Sequence, residues 1–320
     1  MRENDIIERF LKPLSVFMPG SLSLQDDAAY YHPHHGKELV ITQDAMVEGV
    51  HFLPDMEPAL IAKRLIRTNL SDLAAKGAVP KSVLLSMILS PGCDESWVST
   101  FTHGFAEDCS YFKIGLIGGD TVIHSGSLVL SLTALGEVAE GMALTRLTAR
   151  PGDLIYVSGE LGVASLGLML LKGDNLSLDK TIKEQALNRF QQPEPRLKLG
   201  QSLLGLASAS MDISDGVILD LKRLCKASNV GAMVHHEKIP VIEIPGTERL
   251  SLMTFGDDYE LLFTIPPDMA NRLDSLSSHL KIALTCIGEI TAGSHVSLID
   301  RDGKNMALSR DGFEHHPHSS

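Results

Sequence analysis

Apolar residues recur along this chain with two periods, and the alternation between them outlines its elements. Ile6, Ile7, Phe10, Leu11 and Leu14 stand at helical spacing and predict an amphipathic opening helix over residues 3–17. ELVITQD, residues 38–44, reads as a strand ending in polar residues. Ile61, Leu65, Leu73 and Ala74 predict a long helix over 57–76, stopped by Gly77 and Pro80, which puts Asp72 near its C-terminal end. SVLLSMILS (82–90) reads as a buried strand, 94–112 as a second helix, IGLIGG (114–119) as a short strand and SLVLSLTALGEV (127–138) as a long one.

The Pro151-Gly152-Asp153 turn, followed by a new strand and a Gly-rich turn at 159–162, marks a domain break near residue 149. Beyond it the pattern predicts helices over 163–172, 181–190, 196–208 and 216–228, the last preceded by the turn-like DISDG. Strands are expected near 230, 260, 284 and 296. Both halves are mixed α/β, and 320 residues suit two domains, 1–149 and 150–320, each with its own core. NLSDLAAKG (69–77) and DISDGVILDL (212–221) both set Ser-Asp beside a helical run, but two short matches do not establish a repeat.

Charge narrows the function classes. With 40 acidic against 28 basic residues the formal charge is −12, so the average surface repels nucleic acid and anionic membranes. An acidic protein that binds a nucleotide must neutralise its own carboxylates as well as the phosphates, which makes magnesium the expected partner. Cys93, Cys109, Cys225 and Cys286 form no C-x-x-C pair and read as buried thiols of a reducing compartment. MRENDIIERF has no apolar signal core, and no stretch reaches the length of a membrane span, so a cytoplasmic protein is expected.

Five acidic segments stand out: Asp26-Asp27, Asp44, Asp72, Gly118-Gly119-Asp120, and DISDG with Asp212 and Asp215. Four of them are expected where a strand or helix ends, the usual position of ligand-binding side chains in α/β domains. Two bare carboxylates about 4 Å apart repel by roughly 4 kcal/mol at an effective dielectric near 20, so a convergent set requires cations. Taken singly, each is equally a cap or turn residue, Asp215 as the N-cap of the helix after it. No GxxxxGK[ST] loop, Rossmann fingerprint, nucleophile elbow or H-E-x-x-H helix occurs. Of 13 histidines, His32, His34, His35, His315, His316 and His318 lie in polar or tail-like sequence and read as solvated, whereas His51, seven residues after Asp44, is better placed to meet a substrate.

TQDAMVEGVHFLP, RTNLSDLAAKGAVP, LIGGDT, ALTRLTARPGD, MDISDG and GDDYELLF occur in this order, and together they resemble the thiamine-monophosphate kinase family from about residue 26 to 313. NLSDLAAKGA, VEGVHF and DDYELLF are its specific segments; GGD and SDG are shared with relatives of the same fold, aminoimidazole ribonucleotide synthetase and selenophosphate synthetase among them. The resemblance implies a two-domain α/β protein whose N-terminal sheet joins that of a second subunit into a barrel, with an active site between domains. It implies transfer of the γ-phosphoryl group of ATP to thiamine phosphate, with several magnesium ions. Asp27, Thr42, Gln43, Asp44, Asp72, Asp120, Asp212 and Asp215 fall on its metal-binding places, with Asp44, Asp120 and Asp212 closest to the chemistry. Phe112, Gly119, Asp120, Arg146 and Ser214 fall on nucleotide-contacting places; His51, Asp257 and Phe313 fall on places that meet the thiamine substrate. The chain departs from the family pattern in reading SLSLQDDAA for a Gly-rich GxGDDxA, TQDA for STDT, and Asp257 where Glu is usual. The alternatives are another ATP-dependent synthetase or kinase of the fold and a non-catalytic nucleotide-binding dimer.

Overall fold

A computed structural model describes residues 2–244, 246–306 and 311–313. The chain forms two compact units, Met1–Leu73 with Ala78–Gly141, and Ala74–Gly77 with Met142–Ser320. In the first unit the opening segment is not one α-helix. It starts as α1 (Glu3–Ile6), widens to a π-turn (Ile7–Leu11) and tightens to a 3-10 turn (Lys12–Ser15). Pro13 lies in the first positions of that last turn and has no N–H to continue an α-helical ladder.

There follow β1 (Lys37–Val47), α2 (Pro58–Ala75), β2 (Val79–Leu89), α3 (Glu95–Phe112), β3 (Gly115–Ile123) and β4 (Val129–Ala139). The four strands form one sheet in the order β1-β4-β2-β3, with only β2 and β3 parallel. It is an open sheet, with β1 and β3 as its edges, and no closed barrel is present among the described residues. On one face Val83, Leu85, Met87, Leu130, Leu132 and Ala134 are sealed from water. Here Thr42 and Asp44 of β1 meet side chains of α2. On the opposite face Ile41 remains 61% and Val122 44% exposed. Asp94 caps α3, accepting the N–H of Trp97 at 2.8 Å.

Two expectations change here. Asp44 and Asp120 were expected after strands, yet both lie inside them, because β1 extends to Val47 and β3 to Ile123. Edge strands tolerate polar residues mid-ladder, since main-chain pairing continues whatever the side chains do.

The second unit contains β5 (Leu154–Ser158), α4 (Val163–Leu171), α5 (Lys180–Gln191), α6 (Leu197–Ser202), β6 (Ala209–Asp212), α7 (Val217–Ser228), β7 (Gly231–His235), α8 (Arg249–Met253), β8 (Leu261–Ile265), α9 (Asn271–Leu280), β9 (Leu284–Thr291) and β10 (Val296–Ile299). Its six-stranded sheet runs β10-β7-β9-β5-β8-β6, antiparallel except for β10 with β7. Both faces are covered. Leu262 packs with Ile155, Val157, Leu221 and Leu224 on one side, whereas Leu261, Phe263 and Ile265 pack with Leu199, Leu203 and Leu273 on the other. A strand buried on both faces reads as a continuous apolar run, which is what LLFTI supplies. Leu144 and Ala149 belong to these cores, so the second unit begins ahead of the Pro151 turn. Among the described residues no helix is long and apolar enough to cross a membrane.

Candidate active site

The exposed face of the four-stranded sheet and the segment before β1 enclose a cleft of about 680 Å³, lined by Asp26, Asp27, Ser86, Gly118, Asp120 and Thr133 among others. Asp120 reaches it because its register row, Ser86 on β2 and Ser131 on β4, is the polar row of that face. Its Oδ1 accepts the N–H of Thr121 at 2.9 Å, and the Asp27 N–H donates to Asp26 at 2.8 Å. Gly119 also lines the cleft, but the sheet itself demands it: a Cβ there would stand 1.9 Å from the Leu85 carbonyl oxygen. The acidic segment is tethered to the sheet by Glu137 of β4. That buried carboxylate accepts from the Tyr31 hydroxyl (2.6 Å) and the His34 N–H (3.0 Å) and lies 2.7 Å from His34 Nδ1. Burial pushes the Glu137 carboxyl up, but the Tyr31 and His34 bonds and Lys81 outweigh it and hold the group below its ordinary range. Burial and the same bond push the Tyr31 hydroxyl up.

A second polar group lies on the other side of the sheet. Thr42 donates to Asp72 at 2.5 Å, and the Asp44 N–H donates to Asn69 Oδ1 at 3.1 Å. Asn69, fully buried on α2, is itself fixed to the Leu65 carbonyl at 2.9 Å. Asp44 shares its row with Leu132 and, through β2, Leu85, whereas Asp120 shares its row with Ser86, so the two carboxylates belong to opposite faces and opposite edges. Within this unit, then, Asp120 lines the cleft while Asp44 stands on the face turned to α2. Gln43, alternating with Thr42 and Asp44, turns to the exposed face and donates to Ser131 at 3.0 Å.

His51 lies in the turn after β1, where its Nδ1 accepts the N–H of Val47 at 3.0 Å, which leaves Nε2 as the protonated ring nitrogen. Phe112 ends α3 edge-on to Tyr111. The Arg67 guanidinium stands 5.3 Å from the Phe112 centroid and is held by Asp108 through two bonds of 2.7 and 3.0 Å. The pairing of Arg67 with Asp108 escaped the sequence reading: Arg67 opens RTNLSDLAAKGAVP but Asp108 lies in no motif, and a cation and an anion on separate helices leave no spacing signal.

In the second unit, two motif segments far apart in sequence meet a third stretch that carries Phe313. The turn 212–216 follows β6, the stretch 255–259 precedes β8, and 311–313 comes from the chain's end. The Asp257 N–H donates to the Ser214 carbonyl (2.8 Å), the Tyr259 N–H to Ile213 (2.9 Å), and the Phe313 N–H to Asp215 (2.9 Å). Gly256 has φ of 90°, and a Cβ on it would lie 2.4 Å from the Ser214 oxygen, so only glycine permits this docking. Asp257 and Tyr259 both have positive φ, and the Tyr259 hydroxyl donates to Asp257 at 3.2 Å. The adjacent aspartates part company: Asp258 is buried, accepts the Gly162 N–H at 2.8 Å, and is pushed well above the ordinary carboxylate range by burial. Glu260, also buried, takes Arg196 (2.7 Å at Nε), Arg189 (3.1 Å) and Ser158 (2.5 Å) and anchors the segment from below. Asp212 is nearly buried at the end of β6. Arg146 is half-buried in the loop ahead of β5, its carbonyl accepting from Ser228 at 2.8 Å. His315, His316 and His318 lie outside the described residues.

Among the described residues no three acidic, His or Cys side chains gather closely enough to hold a metal ion by themselves. Side-chain oxygens approach one another where Thr42 meets Asp72, and the adjacent carboxylates of Asp26 and Asp27 line the same cleft as Asp120. That chemistry fits magnesium, which takes one or two carboxylates and completes its octahedron with water and substrate phosphates.

Residues 25–138 match the family model described as AIR synthase related protein, N-terminal domain, and residues 150–301 match its C-terminal counterpart. The thiamine-monophosphate kinase of Caulobacter vibrioides is 39% identical, with 98% of this chain and 90% of that protein covered. Among solved structures, the thiamine-monophosphate kinase of Stenotrophomonas maltophilia superposes with a TM-score of 0.79 at 36% identity, covering 88% of this chain and 91% of that one. AaThiL complexed with AMPPCP and TMP gives 0.76 at 29% identity, covering 98% of each chain. With both AIR synthase related domains in place and kinase relatives aligned over nearly its whole length, this chain belongs to the thiamine-monophosphate kinase family.

Proposed function

We propose that this chain transfers the γ-phosphoryl group of ATP to thiamine phosphate, giving thiamine diphosphate and ADP. The observation that carries the reading is the full-length similarity to a solved relative that holds both AMPPCP and TMP. The meeting of residues 212–216, 255–259 and 311–313 supports it, since these are segments over which the chain resembles the family. The acceptor phosphate brings its own nucleophilic oxygen, so the protein needs to align and neutralise rather than form a covalent intermediate, and direct in-line transfer follows. Asp27, Thr42, Gln43, Asp44, Asp72 and Asp120 in the first unit, and Asp212 and Asp215 in the second, are the proposed magnesium ligands. Bound magnesium supplies neutralisation of the phosphate charge.

The remaining roles fall to side chains suited to them. Arg146 offers a planar guanidinium to phosphate oxygens, with Gly119 and Ser214 beside the nucleotide and the Arg67-braced Phe112 as its aromatic neighbour. His51 presents Nε2–H as a donor to the thiamine substrate, Asp257 a carboxylate, and Phe313 an aromatic face for a cationic thiazolium or a pyrimidine. Residues 1–149 are proposed to bind nucleotide and magnesium and to dimerise; residues 150–320 contribute Asp212, Ser214, Asp215, Asp257 and Phe313. The homodimer pairs the exposed sheet faces into a barrel, and the protein works in the cytoplasm.

Coupled ADP release measured against a panel of acceptors tests the reading. Turnover is expected with thiamine phosphate. Turnover with another acceptor and none with thiamine phosphate assigns the chain to a different enzyme of this fold. ATP binding by calorimetry with no turnover at saturating magnesium makes it a non-catalytic nucleotide binder.

A further inference from the structure

The acidic turn after β6 is held by two residues of α7 that its motif does not include. Asp220, fully buried in the first turn of that helix, accepts with one oxygen the N–H of Ser214 (3.1 Å) and of Asp215 (2.9 Å). Its other oxygen takes Arg223 Nη1 at 2.8 Å, and the same nitrogen pairs with the Asp215 carboxylate. The Asp215 carbonyl accepts the Phe313 N–H at 2.9 Å. The main chain of Asp215 is thus pinned at both its N–H and its C=O. Only its side chain is left to change partner, and a rotamer change of a partly exposed carboxylate is fast and inexpensive.

We infer that Arg223, positioned by Asp220, is the resident counter-ion of Asp215, and that a divalent cation captured at Asp215 displaces it; this rests on the reading of Asp215 as a cation ligand. A guanidinium keeps its charge at every working pH, so it leaves by moving and not by losing a proton. Left in place it repels a dication. A nucleotide phosphate is a natural acceptor for the released guanidinium, which makes cation uptake and nucleotide uptake mutually reinforcing. Asp220 and Arg223 are positioning residues in this scheme: neither needs to touch the reacting atoms.

The test is manganese(II) binding to the nucleotide-free full chain, followed by the electron paramagnetic resonance signal of the free ion. Arg223→Gln is expected to bind manganese about tenfold more tightly than the unaltered chain, the effect of removing one charge-assisted competitor. Arg223→Lys restores the weaker binding, and Asp215→Asn introduced beside Arg223→Gln cancels the gain. Should Arg223→Gln not fold by thermal melting, Arg223→Met carries the same expectation with the side-chain stem kept. Unchanged or weaker binding in Arg223→Gln (or Arg223→Met), while Asp215→Asn alone weakens the unaltered chain, overturns the counter-ion role and leaves Asp215 as a ligand. Indifference of manganese affinity to both positions overturns the ligand assignment as well.

Discussion

At the scale of single residues, Asp44 and Asp120 separate structural from chemical roles most cleanly. Their carboxylates lie on different faces of one sheet, and neither stands among the sealed residues of its core. Asp44→Asn and Asp120→Asn should each lower turnover by about two orders of magnitude or more, the loss typical of a charge-stabilising group, with thermal unfolding little changed. Near-normal kcat/KM in both variants would refute their assignment to the metal site. Glu137 is the opposite case, a carboxylate whose task is to hold the segment bearing Asp26 and Asp27. Its folded-state pKa is depressed, so its stabilisation is present above the ordinary carboxylate pKa and is lost as pH falls through the depressed value. Glu137→Gln should cost about 1–3 kcal/mol at neutral pH, as several donors lose a charged acceptor. Urea unfolding from pH 7 downward checks it: the deficit should shrink as acid protonates Glu137 in the parent chain. A deficit constant across that range rules the charge out as its source.

At the scale of elements, the segment before β1 carries strain where the resembled family is Gly-rich. Leu22, Ser23 and Leu24 have φ of 50°, 57° and 55°, left-handed values that cost an L-residue roughly 1–2 kcal/mol each. Ser23→Gly should raise stability by about 0.5–1 kcal/mol, since part of the relief is returned as unfolded-state entropy. A denaturation midpoint that does not rise contradicts the strain. The same element explains a miss in the sequence reading. The spacing of Ile6, Phe10 and Leu14 signals an amphipathic face, but three helical windings share nearly the same face, and periodicity does not distinguish them. The main strands and long helices were legible, because apolar runs such as SVLLSMILS and LLFTI admit few alternatives. β6 and α8 were not, being only four and five residues long.

At the scale of the molecule, the exposed sheet face sets Ile41 and Val122, at its two edges, in water beside its polar row. If it closes against a second copy, as proposed, Ile41→Asp should shift the chain from dimer to monomer in sedimentation velocity. A monomeric unaltered chain removes the barrel.

The sequence by itself determined the fold class, the order of most elements and the family, because burial period and motif order are local or linear properties. It also named the acidic residues, though not their grouping. Only the tertiary structure decided that Asp27 and Asp120 line one cleft, that Thr42 and Asp72 meet across the other face, and that Asp257 faces Tyr259 whereas its neighbour Asp258 is buried. Strand extent and register fix which face a carboxylate occupies, and a slip of one residue reverses it. Among the residues that hold the second unit's motifs in place, Glu260 stands inside GDDYELLF, but its partners Arg196 and Ser158 arrive from distant segments only when the chain folds. Asp220 and Arg223 reach back to the DISDG turn from the helix that follows it, through a turn geometry that spacing alone does not single out.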